Sequence, residues 1–254
     1  FALLNLPFND DMIYDYLKWG GFPVRFDFRE EADIQRYLTN LYVGILNRDI
    51  LTKKSRIDRK IFMDIAKYVL SNAGKEFSAE NIMEYYEKKN HRSVSQRTVY
   101  NYIEKMQKAF LIHPVQKYDI AGKTALQSKQ KYYAVDTGFR TIHTNTINYE
   151  DTFFLENLIY NELLFQGFTV FTGKTHKGEV DFVAIRNGKK CFIQVSYLMS
   201  SQSTIDREFG AFSPITDASP KYVLSLDKVD LSRNGIAHIN IVDFLLHRQF
   251  LALT

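Results

Sequence analysis

The stretch that most constrains how this chain folds runs from Gly178 to Tyr197, with the sequence GEVDFVAIRNGKKCFIQVSY. Two strand-like runs within it, Glu179 to Arg186 and Lys190 to Tyr197, flank the dipeptide Asn187-Gly188. Asn-Gly tolerates the positive φ angles of a two-residue turn between paired strands, which makes it a strong hairpin signal. The sequence therefore predicts a β-hairpin at this point.

Three polar residues are expected to meet on this hairpin. Asp181 lies between Val180 and Phe182 on the first run, and Gln194 and Ser196 lie two residues apart on the second. Side chains two residues apart in a strand share one face, so the Asp, Gln and Ser side chains are predicted to converge. A structural alternative stays open, because buried polar residues usually satisfy one another or nearby backbone groups.

The pattern resembles the core of the PD-(D/E)xK nuclease-like fold, in which an acid on one strand and a Glu-x-Lys pair on the next hold a divalent metal. The resemblance implies that Asp181 is a ligand for Mg or Mn and that Gln194-Val195-Ser196 occupies the Glu-x-Lys position. A neutral amide there replaces a charged ligand, and the lysine is missing. Magnesium prefers carboxylate oxygens, and phosphodiester cleavage needs positive charge near the phosphate. We therefore expect a nuclease-like fold with a degenerate, inactive centre.

The helix predicted before the hairpin, from Phe153 to Leu164, supports this assignment. Its apolar residues recur at helical spacing, and Gly167 is expected to end it. Nuclease-like folds of this class open with such a helix and many place a Glu on it near the metal, which implies Glu156 as a second metal ligand. An exposed acid that the helix dipole favours in the first turn is an equally weighted alternative for Glu156.

Length and composition indicate a soluble globular protein with two or more domains. The chain has 254 residues, 45% of them apolar and 24% charged. Its single cysteine excludes a disulfide framework and a thiolate zinc site, and no apolar run reaches the length of a membrane helix. We expect a cytoplasmic protein without a membrane partner. Because the chain does not begin with Met, we also expect it to be a fragment of a longer protein.

Positive charge is concentrated in the middle of the chain. Between Lys53 and Tyr132 there are 17 lysines and arginines against 8 aspartates and glutamates, a net charge of +9, whereas the remainder carries −5. A basic segment of this kind is an electrostatic footprint of nucleic-acid binding.

Within this basic segment the order of elements is helix, helix, helix, hairpin. Ser78 is a predicted N-cap for the second helix and Ser95 for the third, which buries an apolar stripe of Val99, Tyr102, Ile103 and Met106. The helix start resembles the recognition helix of a helix-turn-helix domain, whose N-terminal residues reach base edges in the major groove. The candidate DNA-binding residues here are Ser95, Gln96, Arg97, Tyr100 and Asn101.

Two strands, Leu111 to Tyr118 and Lys131 to Val135, are predicted around a polar loop from Asp119 to Gln130. With the three helices, this order indicates a winged helix in which the loop is the wing. Its candidate phosphate contacts are Lys117, Lys123, Lys129 and Lys131. DNA is the expected partner, and the alternative is a protein-interaction module whose basic face is only solvated.

The turn Gly20-Gly21-Phe22-Pro23 and the long amphipathic run from Asp33 to Leu51 are similar to a junction in a prokaryotic AAA-type ATPase family, where the nucleotide-binding domain meets an uncharacterised C-terminal region. This chain contains no phosphate-binding G-x-x-x-x-G-K-[ST] motif. The resemblance implies that ATP is bound and hydrolysed by a missing N-terminal ATPase domain. For Arg48-Asp49, within the same junction, a solvated helix end is an equal alternative.

After the central hairpin we predict a helix from Ser203 to Phe212, strands Lys221 to Leu226 and Ile236 to Ile241, and a closing helix. This order suits an α/β layer fold. The Gln-Val-Ser-Tyr and Arg-Glu-Phe sequences are similar to signatures of the same ATPase family.

The predicted fold class is α+β and multidomain, with a helical segment and a winged helix-turn-helix followed by an α/β restriction-endonuclease-like domain. The predicted domains are a helical remnant of the ATPase junction at residues 1–52, a winged helix at 53–142 and a nuclease-like domain at 151–254.

Three functional hypotheses follow. The first is a DNA-binding module of an AAA-type ATPase with an inactive nuclease-like domain. The second is a metal-dependent nuclease in which Glu156 and Asp181 are metal ligands, Gln194 is a neutral ligand or orients the water, and Lys174 or Lys177 replaces the missing lysine. The third is a protein-interaction platform.

Overall fold

The protein has a mixed α/β fold. A computed structural model describes residues 11–52, 56–144 and 152–247, except for the side chains of residues 11, 127–129 and 247. Its helices are α1 (Asp11–Trp19), α2 (Glu31–Ile45), α3 (Arg59–Ser71), α4 (Ala79–Asn90), α5 (Gln96–Lys108), α6 (Thr137–Thr141), α7 (Thr152–Phe165), α8 (Gln202–Gly210) and α9 (Ile241–His247). Its strands are β1 (Ile112–Asp119), β2 (Thr124–Ala134), β3 (Thr169–Lys174), β4 (Glu179–Arg186), β5 (Lys189–Val195), β6 (Lys221–Ser225) and β7 (Ala237–Asn240).

The chain divides into two compact units. The helical unit comprises the described residues within 15–114 and 129–148, and the sheet unit comprises those within 1–14, 115–128 and 149–254. In the described ranges, no helix combines the length and apolar character needed to cross a membrane.

The described strands follow the order β2-β1-β3-β4-β5-β6-β7. The neighbouring pairs β3–β4 and β4–β5 are antiparallel, whereas β1–β3, β5–β6 and β6–β7 are parallel. Parallel neighbours need crossover connections, and α8 lies between β5 and β6 in the chain.

The predicted hairpin is confirmed as β4 and β5. Its turn residues Asn187 and Gly188 have φ angles of 52° and 77°, as the Asn-Gly signal requires. The register places Phe182 opposite Ile193, and therefore Asp181 opposite Gln194.

Helices cover both faces of this hairpin. Phe182 faces α7, where its ring lies 6.3 Å from that of Tyr160. Val183 and Phe192 belong instead to a core cluster with Phe209 of α8. Since successive strand residues point to opposite faces, α7 and α8 lie on opposite sides of the sheet, and Asp181 shares the α8 side with Val183.

In the helical unit, α3, α4 and α5 enclose one apolar core. The predicted caps are confirmed, because the side chains of Ser78 and Ser95 accept hydrogen bonds from the backbone N–H groups of Asn81 and Thr98. The predicted apolar stripe of α5 is buried.

The predicted loop from Asp119 to Gln130 is wrong. The connection is a turn of residues 120–123, and β2 begins at Thr124. Asp119 Oδ1 accepts hydrogen bonds from the N–H groups of Ala121 and Gly122, both at 3.1 Å, and Lys123 adopts a φ of 53°, which closes the turn early. The polar composition that indicated a loop is equally compatible with a strand that has one solvated face.

The Gly20-Gly21 turn is held by a residue far along the chain. The carboxylate of Asp136 accepts the Gly21 N–H at 2.7 Å and the Gly138 N–H at 2.8 Å. Gly20 has a φ of +76°, and a Cβ atom there would lie 1.6 Å from Asp136 Oδ1. Position 20 therefore requires glycine, because another residue would be strained at this φ angle and its Cβ would clash with Asp136.

Candidate functional site

A pocket of about 500 Å³ opens in the sheet unit. Helices α7 and α8, the β3–β4 turn and the β4–β5 hairpin all contribute to its wall. Its charged and amide-bearing lining residues are Glu156, Lys177, Glu179, Asp181, Gln194, Arg207 and Glu208. The pocket thus brings together three of the four residues that the sequence proposed for a degenerate metal centre.

Asp181 and Gln194 are bonded across the hairpin. Asp181 Oδ2 accepts the N–H of Val195 at 2.7 Å, and the Asp181 N–H donates to Gln194 Oε1 at 3.3 Å. Their predicted convergence is confirmed.

Glu208 completes this cluster and was not among the predicted site residues. Gln194 Nε2 donates to Glu208 Oε2 at 3.0 Å, and Arg207 donates to Glu208 Oε1 at 2.6 Å. The carboxylate is buried, whereas the Arg207 side chain is largely exposed. The Arg-Glu-Phe sequence could have indicated Glu208. Phe209 is the apolar residue that packs into the core, and Glu208, the residue before it, lies close to the sheet.

Glu156 lies on α7 and is only 4% exposed. It lies beyond the first turn of that helix, which begins at Thr152. The alternative of an exposed first-turn acid is therefore wrong, and the Glu156 side chain forms part of the pocket wall.

Ser196 is not among the residues that line this pocket. It is buried, and its backbone N–H donates to the carbonyl of Leu224 at 2.9 Å. This bond continues the pairing of β5 with β6 beyond Val195. The convergence of Ser196 with Asp181 stays a prediction.

The cluster is a poor fit for a divalent metal. Both carboxylate oxygens of Glu208 and both side-chain polar atoms of Gln194 are already engaged by protein groups. Within the described ranges, no group of three or more His, Cys, Asp or Glu side chains is arranged to hold a metal ion. An ion here would share oxygens that already accept protein hydrogen bonds, and one of the three groups is a neutral amide, so no metal-dependent step is derived.

The solvent face of α5 is the second candidate site. Gln96, Arg97, Tyr100 and Asn101 are all exposed, on the side opposite the buried stripe. Gln96 Nε2 donates to Glu80 Oε1 of α4 at 3.1 Å. Ser95 is occupied as the N-cap, with its Oγ accepting from the Thr98 N–H at 3.2 Å. Arg97, Tyr100 and Asn101 therefore form the outward polar face of the first two turns.

Basic residues cluster where α4 meets α5. Lys88, His91 and Arg92 are exposed there, and His91 ends α4 in the left-handed conformation with a φ of 51°. Nearby Lys89 forms an ion pair with Asp64 of α3. The sequence analysis did not select these residues, although the run Lys88-Lys89-Asn90-His91-Arg92 is visible in the sequence.

The predicted wing lysines differ in their surroundings. Lys117 Nζ donates to Glu179 Oε1 at 2.7 Å, and only 13% of its side chain is exposed. Lys131 is 7% exposed, so it lacks the solvent-facing ammonium that a phosphate contact requires. Lys123 is exposed in the turn, and the Lys129 side chain lies outside the described residues. Lys117 and Lys123 group with the sheet unit, whereas α5 belongs to the helical unit.

Residues 10–149 match the family described as "Domain of unknown function (DUF8612)". The chain belongs to this family. The DUF8612 region contains α5 and the contact between Gly21 and Asp136, whereas Asp181, Gln194 and Glu208 lie beyond its C-terminal limit.

Two relatives are similar to this chain beyond the DUF8612 region. An uncharacterised protein of Haemophilus influenzae is 27% identical over 240 residues, which cover 93% of this chain and 58% of the relative. The uncharacterised protein MJ1544 of Methanocaldococcus jannaschii is 27% identical over 223 residues, which cover 85% of this chain and 47% of the relative. The chain spans about half the length of the curated relatives it matches.

Among solved structures, protein VC1899 of Vibrio cholerae matches with 12% identity and a TM-score of 0.27, over 74% of this chain and 55% of that one. A similarity at this level carries no argument about fold or function.

Proposed function

We propose that this chain is a DNA-binding module from the C-terminal region of a longer prokaryotic AAA-type ATPase. The carrying observation is the outer face of α5, where Arg97, Tyr100 and Asn101 are all exposed opposite the buried stripe. Arginine and asparagine are the side chains that most often form bidentate contacts to guanine and adenine edges. ATP binding would belong to the N-terminal ATPase domain that the Gly20-Gly21 junction suggests.

The charge distribution supports a polyanionic partner. The segment from Lys53 to Tyr132 carries a net charge of +9. In the helical unit, Lys88 at the end of α4 and Arg92 in the α4–α5 connection add exposed basic groups next to the start of the proposed recognition helix. Such groups neutralise phosphates and fix orientation, whereas contacts to base edges carry sequence information. This division of roles assigns phosphate binding to the connection and base recognition to α5.

For the sheet unit, we propose a nuclease-like domain whose metal centre is inactive. The order helix, three strands, helix, strand, seen in α7, β3–β5, α8 and β6, agrees with that fold. The hydrogen bonds that join Asp181, Gln194 and Glu208 support loss of the metal site, because they hold a neutral amide where Mg²⁺ prefers a carboxylate oxygen.

Binding of the whole chain to a labelled 20-base-pair duplex across a salt series tests the proposal. We expect affinity to fall steeply with salt, and Arg97→Ala and Asn101→Ala each to weaken binding by roughly fivefold or more. Arg36→Ala, which removes an exposed arginine on α2, is the matched control and should leave affinity nearly unchanged. Absence of binding at low salt, to this duplex and to its separate strands alike, would refute the DNA proposal and favour a protein-interaction platform.

A metal-dependent nuclease is the second candidate, because Glu156, Asp181 and Glu208 line the same pocket. Lys177 also lines it and is exposed, so it is the better candidate of the two lysines for the missing basic group; Lys174 is absent from the described lining. Adding Mg²⁺ or Mn²⁺ to the DNA complexes tests this candidate. Cleavage that Asp181→Ala abolishes would establish the nuclease. Intact DNA after prolonged incubation would support an inactive metal centre.

A further inference from the structure

Tyr100 is an exposed aromatic side chain in the middle of the proposed DNA-binding face. It is 53% exposed, whereas Val99, Tyr102 and Ile103 around it in the chain are buried. A solvent-exposed aromatic ring next to Arg97 and Asn101 offers a flat apolar surface beside hydrogen-bonding groups.

Positive charge on α5 lies on both sides of Tyr100. Arg97 lies one turn before Tyr100 and is exposed. One turn after Tyr100, Glu104 is neutralised by an ion pair with Lys108 at 2.6 Å. A polyanion beside the ring is therefore favoured on the Arg97 side.

A fully paired duplex offers no free base face on which the Tyr100 ring can stack. In the grooves of a duplex, base edges are accessible but base faces are stacked on one another. An unpaired base exposes its face, and stacking on an aromatic side chain contributes strongly to the binding of single-stranded nucleic acid.

Resting on the proposed DNA-binding function, we infer that α5 binds DNA containing unpaired bases, with one base stacked on Tyr100. Arg97 would contact the adjacent nucleotide, and Asn101 would hydrogen-bond the edge of the stacked base. The substrate class is single-stranded or locally opened DNA.

The test compares three labelled DNAs of one sequence: a paired duplex, the same duplex with a central unpaired bubble, and the single strand. At constant salt we expect the bubble and the single strand to bind the whole chain at least fivefold more tightly than the duplex. Tyr100→Ala should remove this preference by weakening bubble and single-strand binding roughly tenfold. Tyr100→Phe should retain it, because the ring and not the hydroxyl provides the stacking surface.

Phe110→Asn is the matched control for loss of an exposed aromatic residue. Phe110 is 70% exposed just beyond α5 and has a φ of 53°, which asparagine tolerates. We expect this variant to bind like the wild type. Equal affinity for all three DNAs, or an equal effect of Tyr100→Ala on each, would overturn this inference alone. Failure to bind any of them at low salt would overturn the proposed function as well.

Discussion

The side-chain amide of Gln194 joins two acids of the sheet unit, because it accepts from the backbone N–H of Asp181 and donates to the carboxylate of Glu208 at 3.0 Å. A glutamine can do both at once, whereas a glutamate can only accept when ionised. The residue that departs from the nuclease pattern is therefore the one that stabilises the present arrangement.

Gln194→Glu should destabilise the protein and create a metal-binding site. At pH 7 the new carboxylate would face that of Glu208 without a proton between them, at a cost of roughly 1–3 kcal/mol of unfolding free energy. Mg²⁺ or Mn²⁺ should then raise the Tm of the variant but not that of the wild type. Thermal scans with and without metal measure both effects, and Gln116→Glu, at an exposed position of β1, controls for added charge. A variant that is as stable as the wild type and insensitive to metal would contradict the expectation.

Gly20→Ala should destabilise the helical unit by roughly 2–4 kcal/mol, because the residue has a φ of +76° and its Cβ would overlap the Asp136 carboxylate. Denaturant unfolding followed by the fluorescence of Trp19 measures this, since Trp19 is the single tryptophan and is buried in that unit. Gly44→Ala is the control: Gly44 lies in α2 with open space around it, so the variant should be unchanged or up to about 1 kcal/mol more stable. Equal effects of the two substitutions would contradict the role assigned to the turn.

Asp136 should make the stability of the helical unit decrease as pH rises from about 4 to 6. Burial raises its pKa from 3.8 to about 6, against the lowering effects of the Gly21 and Gly138 N–H groups and of Arg25. Between these values the folded state holds a proton that the unfolded state has lost, so each increase in pH favours unfolding. The full effect is roughly 3 kcal/mol.

The measurement is the unfolding free energy of the wild type and of Asp136→Asn at several pH values, again with Trp19 as the probe. We expect the wild type to lose stability relative to the variant across this window and the difference to level off above pH 7. A difference that does not change with pH would show that Asp136 is ionised throughout.

His238 should have the opposite effect in the sheet unit. Its Nδ1 accepts the Leu231 N–H at 3.3 Å, so the neutral ring carries its proton on Nε2 and donates to Ser225 Oγ at 2.9 Å; Ser225 in turn donates to Asp227 Oδ2 at 2.7 Å. Protonation of Nδ1 would break the bond to Leu231. Burial lowers the His238 pKa, although Asp227, Asp230 and a hydrogen bond to the Val229 backbone oppose this.

Because the folded state prefers neutral His238, its contribution to stability should be lost as pH falls below about 6.5. Titration of the imidazole by NMR should give a pKa below that of a model histidine, and proteolysis within residues 228–236 should increase in the same pH range. His238→Asn, whose Oδ1 can still accept from Leu231, should remove the pH dependence of cleavage. A histidine that titrates at or above its ordinary value would contradict the proposed tautomer.

Much of the local structure could be predicted from the sequence. The Asn187-Gly188 turn, the Ser78 and Ser95 caps and the buried face of α5 each depend on residues within a few positions of one another. The pairing of Asp181 with Gln194 could also be predicted, because the position of a two-residue turn sets the register of its hairpin. The early start of β2 was not predicted, since its polar residues fit either a loop or a strand with one solvated face.

By itself the sequence determined where the chain turns, which helix faces are apolar and which pair of strands carries Asp181 and Gln194. Tertiary structure alone decided that Gln194 meets Glu208, 14 residues away, that Lys117 is held by Glu179, 62 residues away, and that Asp136 closes on Gly21, 115 residues away. The physical reason is that turns, caps and amphipathic faces arise from short-range backbone geometry, whereas a buried polar side chain is satisfied by whichever group the packing of distant elements brings within about 3 Å.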